Sequence, residues 1–181
     1  MRKLLLVLAG LILTGCGSVA YSPTTIVPTT SPGLKAVHDP GEVTGHLSGR
    51  CYFRAQGQLP DPRCTPGSLD PAITREKLCA SGYTTRPYRP SPSRIAHFKY
   101  DEAYPAYDVP RSVRSELDHL IPLELGGSND ATNLWPEVGS IPNGKDRVEN
   151  RLHFLVCAGK LALRTAQEEI AHNWMMVAAG E

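Results

Sequence analysis

The chain lacks a strong net charge, a long hydrophobic run and any pair of cysteines spaced as Cys-x-x-Cys. Its 19 Lys and Arg residues balance 18 Asp and Glu residues, so no overall field marks it as a nucleic-acid-binding protein. The longest apolar run, LLLVLAGLIL near the N-terminus, is too short and wrongly flanked for a stable membrane span. The missing Cys-x-x-Cys spacing disfavours a structural zinc site.

The N-terminus is typical of an export signal. Arg2 and Lys3 precede the apolar run, which ends in the letters LTGC at Cys16. This ending resembles a bacterial lipobox, so we predict a lipoprotein signal peptide over residues 1–15 and a lipid on Cys16. A plain secretory signal with a chance cysteine is the alternative. Gly17 follows Cys16, which resembles the outer-membrane sorting pattern, so we expect an exported protein anchored by lipid in the cell envelope.

The next segment is predicted to be a tether. Residues 16–49 are rich in Pro, Thr, Ser and Gly, as in SPTTIVPTTSPG, and show little apolar periodicity. Such a composition buries too little surface to offset the entropy of ordering. We therefore place the folded domain at residues 50–181, a length that supports one hydrophobic core, and nothing indicates an oligomer.

Four cysteines remain once Cys16 is assigned to the lipid. An even number of cysteines outside the cytosol favours two disulfides, and the sequence leaves three pairings open among Cys51, Cys64, Cys79 and Cys157.

The expected fold class is α+β. Asp70 and Pro71 predict the start of a short helix that carries Cys79, whereas the frequent prolines of residues 83–110 predict loops and short strands. Residues 115–125 and 132–135 are candidate strands around a Gly-Gly loop. Helices are predicted over residues 145–158 and 162–176 from their apolar faces, and the two tryptophans are expected in the core.

The segment DHLIPLELGGSNDATNLWPE carries the chemistry. Hydrolysis of a phosphodiester needs an activated water, a cation to neutralise developing charge, and a group that orients the base. Asp118 is the candidate metal ligand and His119 the candidate general base. Asn133, on the strand that returns from the loop, is the candidate to hold the His119 ring.

This segment resembles the core of the HNH nucleases, members of the ββα-metal superfamily. The resemblance rests on Asp-His, Pro122, Gly126-Gly127 and Asn133-Leu134. It implies a small ββα-metal core with additional helices and Pro-rich loops. It also implies a metal on Asp118, His119 as the base and Asn133 as its orienting residue.

The remaining metal ligand is expected on the polar face of the helix at residues 145–158. Mg²⁺ prefers oxygen and favours Glu149, whereas a transition metal such as Zn²⁺ favours His153. We expect a divalent ion, first Mg²⁺, with Mn²⁺ or Zn²⁺ as alternatives. Lys145 and Arg114 are the candidate contacts to substrate phosphate.

The sequence thus predicts an exported, metal-dependent endonuclease acting on nucleic acid, most simply DNA, with weak sequence preference. Two alternatives stay open. One is a non-catalytic envelope lipoprotein that uses the ββα frame as a binding module. The other is a hydrolase of a different phosphate ester.

Overall fold

A computed structural model describes residues 33–180, so the predicted signal peptide and Cys16 lie outside the described residues. The described chain mixes helices with short strands, as the α+β prediction requires. The strands are β1 (Lys35–Ala36), β2 (Ser68–Leu69), β3 (Ser115–His119) and β4 (Leu134–Val138). The α-helices are α1 (Arg75–Leu78), α2 (Pro92–Phe98), α3 (Tyr104–Tyr107), α4 (Lys145–Cys157) and α5 (Leu163–Ala179).

Strands β3 and β4 pair antiparallel as a two-stranded sheet, with Glu116 opposite Glu137 and Asp118 opposite Trp135. The first strand is shorter than predicted, because Pro122 begins a 3₁₀ turn over Leu123–Leu125. The second strand is longer than predicted and includes Pro136. A sheet of two strands has only edges, which is where proline is tolerated.

Helix α4 follows the hairpin and packs against α5, as the apolar periodicity predicts. The core between them contains Val148, Leu152 and Val156 from α4 and Ala166, Ile170 and Trp174 from α5. Both predicted helices are confirmed, and α5 runs three residues further than expected, to Ala179. Trp135 and Trp174 are buried, as expected for core residues.

Residues 83–110 contradict the prediction of loops and short strands. Helix α2, a π-helical turn over Lys99–Ala103 and α3 follow one another without a break. Ser91 caps α2, and Pro92 lies in its first turn, where proline costs no hydrogen bond. Pro92 therefore begins α2, and Phe98 becomes buried at the end of that helix.

The predicted short helix exists, but its cap differs. Thr74, not Asp70, caps α1 by accepting a hydrogen bond from the Lys77 amide. The Asp70 carboxylate instead accepts from the Ala72 amide, 2.9 Å away, and so closes a turn before the helix. Cys79 follows directly after the last helical residue.

The folded part begins earlier than the predicted boundary at residue 50. Strand β1 pairs parallel with β2, and Val37 donates a further backbone hydrogen bond to Leu69. The Asp39 side chain is buried among domain residues. The segment read as the end of a tether is therefore part of the domain from about residue 34 onward.

Two disulfides form, as predicted, and the structure gives their pairing. Cys51 bonds Cys64, and Cys79 bonds Cys157. The second bond ties the end of α1 to the last residue of α4. No helix among residues 33–180 combines the length and apolarity that crossing a membrane requires.

Candidate functional site

Three carboxylates share one face of the hairpin. Side chains alternate along a strand, so Glu116 and Asp118 of β3 lie on the same face, and Glu137 lies directly across from Glu116. One oxygen from each residue lies within 4.8 Å of the others. The Asn143 side-chain amide, just before α4, donates hydrogen bonds to Glu116 and Glu137.

This crowding changes the protonation of the carboxylates. Burial, with the charge of Asp118, raises the pKa of Glu137 to about 9. The same two causes raise the pKa of Glu116. A hard divalent cation would relieve this repulsion, and an all-oxygen donor set suits Mg²⁺ or Mn²⁺. The three side chains could therefore hold such an ion, and the role of Asp118 as a ligand stays a prediction.

Lys145 lies fully buried at the start of α4, under the same face. Its ammonium donates to Asp118 Oδ2 at 2.8 Å, to the His119 carbonyl at 2.7 Å, and to Glu149. Burial alone would lower the pKa of Lys145, but the two carboxylates outweigh it and raise the pKa. All three N–H donors are used, so the predicted contact of Lys145 with substrate phosphate is wrong.

Neither Glu149 nor His153, the alternative predicted ligands, belongs to the carboxylate cluster on the hairpin. Glu149 reaches Asp118 through the Lys145 ammonium, and burial raises its pKa to about 7 against the lowering effect of Lys145. The His153 ring bonds the Glu124 carbonyl through Nδ1 at 2.8 Å, and its Nε2 lies 3.7 Å from Cys157 Sγ. His153 therefore belongs to the packing of α4, and its prediction as a ligand is wrong.

His119 ends strand β3 and is half-buried. Its Nε2 lies 2.8 Å from Asn129 Oδ1. Burial lowers the pKa of His119 to about 4, more than the Asn129 hydrogen bond and the Asp118 charge raise it. The ring is therefore neutral at physiological pH, the form in which a histidine can accept a proton.

Asn133 does not hold the His119 ring, which corrects the predicted role. Its buried side chain donates to the Ile121 and Ser128 carbonyls and accepts from the Ile121 amide at 2.9 Å. Asn133 therefore fastens the loop between the strands. Gly127 is required beside it, because a Cβ there would lie 1.8 Å from the Ile121 carbonyl oxygen.

The arginines near the hairpin differ in position. Arg114 precedes β3, at the end of the strand remote from His119, and donates to the Ile141 carbonyl at 3.4 Å. Five residues of extended chain span about 16 Å, so Arg114 lies further from His119 than from Glu116, and its contact with substrate phosphate stays a prediction. Arg89 is exposed, and its charge helps to lower the pKa of His119. Arg89 is therefore the better candidate for that contact.

Sequence reasoning missed Glu116, Glu137 and Asn129, and it missed Asp39, whose carboxylate accepts hydrogen bonds from Asn129. Glu116 stands two residues before Asp118, and strand alternation could have placed it on the same face. Predicting Glu137 would have required the register of the two strands. Predicting Asn129 would have required the conformation of the loop between them.

Comparison with protein-family models, with curated proteins and with solved structures finds no match to this chain.

Proposed function

We propose that this protein is a metal-dependent endonuclease of HNH type that hydrolyses phosphodiester bonds of nucleic acid outside the cytoplasm. One observation carries the proposal. A single strand end presents an acidic cluster on one side, at Asp118, and a neutral imidazole on the next residue, His119. A two-stranded hairpin followed by a helix is compatible with the frame that a ββα-metal nuclease uses.

Each residue of the site has a separate role in the proposed hydrolysis. Asp118, with Glu116 and Glu137, holds the divalent ion, which when bound neutralises charge that develops on the phosphate and the leaving oxygen. His119 accepts the proton of the attacking water. Asn129 holds the His119 ring in place through the 2.8 Å hydrogen bond.

Lys145 contributes by position. Its ammonium fixes Asp118 Oδ2 and the His119 carbonyl at once, so it holds both functional residues against the first turn of α4. Trp135 donates from Nε1 to the same Asp118 oxygen at 3.2 Å. Two donors on one oxygen restrict the carboxylate to one orientation, which is the preorganisation that a metal site needs.

The surroundings support an exported enzyme. Two disulfides indicate an oxidising compartment outside the cytosol. We propose that lipid on Cys16 anchors the chain in the envelope, in the outer membrane where the cell has one. DNA is the simplest substrate, and sequence preference is weak because phosphate contacts carry no sequence information.

Plasmid cleavage tests the proposal. The full-length protein, purified in detergent with disulfides formed, is assayed with Mg²⁺, Mn²⁺, Zn²⁺ or EDTA. We expect nicking that needs a divalent ion and falls by about 10²- to 10⁴-fold in His119→Ala, as for a general base. His172→Ala, an exposed histidine of α5, is the matched control. Equal activity in the two variants would remove His119 from the mechanism.

Metal binding is measured separately by calorimetry with Mn²⁺. Asp118→Asn and Glu137→Gln should weaken binding, whereas His153→Gln should leave it unchanged because His153 lies elsewhere on α4. Binding that depends on His153 and not on Glu137 would contradict the assigned ligands.

A non-catalytic envelope lipoprotein is the second candidate, favoured by one observation. Lys145 already neutralises Asp118 and Glu149, as a structural ion pair would. A folded sample that cleaves nothing with any ion would support this candidate. Turnover of small phosphodiesters but not of plasmid would instead support a hydrolase of another phosphate ester.

A further inference from the structure

We propose that Asp39, in the segment before the predicted domain, is a positioning residue that fixes the tautomer of His119 through Asn129. The role of His119 as a base rests on the proposed function. The hydrogen bonds that set its tautomer do not. The structure assigns the proton to Nε2 and leaves the lone pair on Nδ1.

Asp39 holds Asn129 through two hydrogen bonds. Asp39 is 3 % exposed and lies 90 residues away along the chain. Its Oδ2 accepts the Asn129 backbone N–H at 2.6 Å, and its Oδ1 accepts from Asn129 Nδ2. A carboxylate offers acceptors only, so it requires the NH₂ end of the amide on its own side.

A second acceptor makes the same demand. The Tyr88 carbonyl accepts from Asn129 Nδ2 at 2.9 Å, and a carbonyl cannot donate in any protonation state. Rotating the amide by half a turn would place its oxygen against both acceptors, with two hydrogen bonds lost. Asn129 is therefore held in one orientation.

The remaining step concerns the ring. With the NH₂ group used, Asn129 Oδ1 faces His119 Nε2 at 2.8 Å. An amide oxygen only accepts, so Nε2 must carry the hydrogen. The neutral ring then has its lone pair on Nδ1, which is the nitrogen left to accept a proton from water.

The tautomer is read directly from nitrogen NMR of the full-length protein labelled at histidine, at pH 8. We expect one protonated Nε2 and one unprotonated Nδ1 for His119, assigned by the signals lost in His119→Ala. In Asp39→Ala, Asn129 Nδ2 keeps only the Tyr88 carbonyl as its acceptor, so its amide is held less firmly. We then expect a mixture of the two tautomers of His119, which moves the two nitrogen signals towards each other. Asp101→Ala, which removes an exposed carboxylate, is the control and should leave the signals in place.

A protonated Nδ1 in the unaltered protein would overturn the proposal, and that reading needs no variant. Unchanged signals in a folded Asp39→Ala variant would overturn the role of Asp39. The activity arm is separate: Asp39→Ala should lower kcat by about 10- to 100-fold, as loss of an outer partner does. If the NMR result holds while no protein cleaves DNA, the hydrogen-bonded chain stands and the nuclease proposal fails.

Discussion

The two faces of the β3–β4 hairpin differ in charge around two adjacent residues, Asp118 and His119. On the Asp118 face, three carboxylates crowd together and a buried ammonium offsets part of their charge. At His119, the neutral ring is hydrogen-bonded to the neutral side-chain amide of Asn129. The carboxylate of Asp39 is hydrogen-bonded to Asn129 and not to the ring. One side concentrates charge, and the other uses charge only to orient a dipole.

Under the proposed function, this difference between the two faces meets two separate requirements of hydrolysis. A cation site needs negative charge that cannot disperse, and burial against α4 provides it. A base needs to remain neutral and correctly oriented, so direct contact with a carboxylate is replaced by contact with an amide. The comparison predicts that removing charge from the first face affects stability most, and that changes around His119 affect protonation and orientation.

Among single substitutions, the largest expected effect on stability follows Lys145→Met. The change leaves Asp118 and Glu149 buried without their shared ammonium, and breaking such a pair typically costs about 3 to 5 kcal/mol. The free energy of unfolding is measured in urea at pH 7. Lys160→Met, at an exposed lysine, is the control and should change stability by less than about 0.5 kcal/mol. A loss as small in Lys145→Met would mean that the carboxylates find other partners.

The next prediction compares two buried aspartates by pH. Burial raises the pKa of Asp39 to about 6, above the value of 3.8 expected when unfolded. The folded state then binds more protons between these values, so the contribution of Asp39 falls as pH rises through them, by up to about 3 kcal/mol. We therefore expect Asp39→Asn to gain stability relative to the unaltered protein between pH 4 and 7.

Asp61 gives the opposite sign. Hydrogen bonds from Arg63 lower the pKa of Asp61 to about 2, despite burial. Its contribution is present above pH 3.8 and is lost as pH falls through 2. Asp61→Asn should therefore lose stability relative to the unaltered protein as pH rises from 2 to 4. Urea unfolding across pH checks both variants, and parallel curves for all three proteins would refute both assignments.

The sequence predicted helix α4 and the hairpin because their signals are local. Apolar spacing defines a helical face within a few turns, and the Gly-Gly loop marks the reversal. The α2–α3 region is predicted wrongly because prolines often break helices, whereas Pro92 lies in the first turn of α2 and Pro105 lies two residues past the end of a π-helical turn. Asp39 could not be predicted, because its partner Asn129 is 90 residues away and no periodic pattern links them.

The predicted site residues show the same difference between local signals and contacts that only the fold creates. Asp118 and His119 are predicted from chemistry carried by adjacent residues, and their roles stay part of the proposed function. Asn133 matched by position, but a buried amide can fasten a loop as readily as orient a ring, and only the hydrogen bonds distinguish the two roles. A lysine near a helix start is usually exposed, so the sequence favours a phosphate contact for Lys145, whereas the structure buries it among three acceptors.

Removing each disulfide in turn measures how much each contributes to the free energy of unfolding, and one of them holds the end of α4. Cys79–Cys157 spans 78 residues and Cys51–Cys64 spans 13. Loop-closure entropy gives about 4.5 kcal/mol for the first and about 3 kcal/mol for the second, a difference of about 1.5 kcal/mol. Double Cys→Ala variants of each pair are compared by urea unfolding. A larger cost for the Cys51–Cys64 pair would show that its burial outweighs loop length.

The smallest effect concerns the arginines and distinguishes the two ends of β3. In a His119→Ala background that does not cleave, Arg89→Ala should weaken DNA binding several-fold and reduce the salt dependence by about one phosphate contact. Arg114→Ala is the matched control and should leave both quantities unchanged, because it lies at the far end of the strand. Fluorescence anisotropy over a range of salt concentrations measures both. If Arg114→Ala has the larger effect, the nucleic acid approaches from the start of β3, and the proposed position of the scissile phosphate beside His119 is wrong.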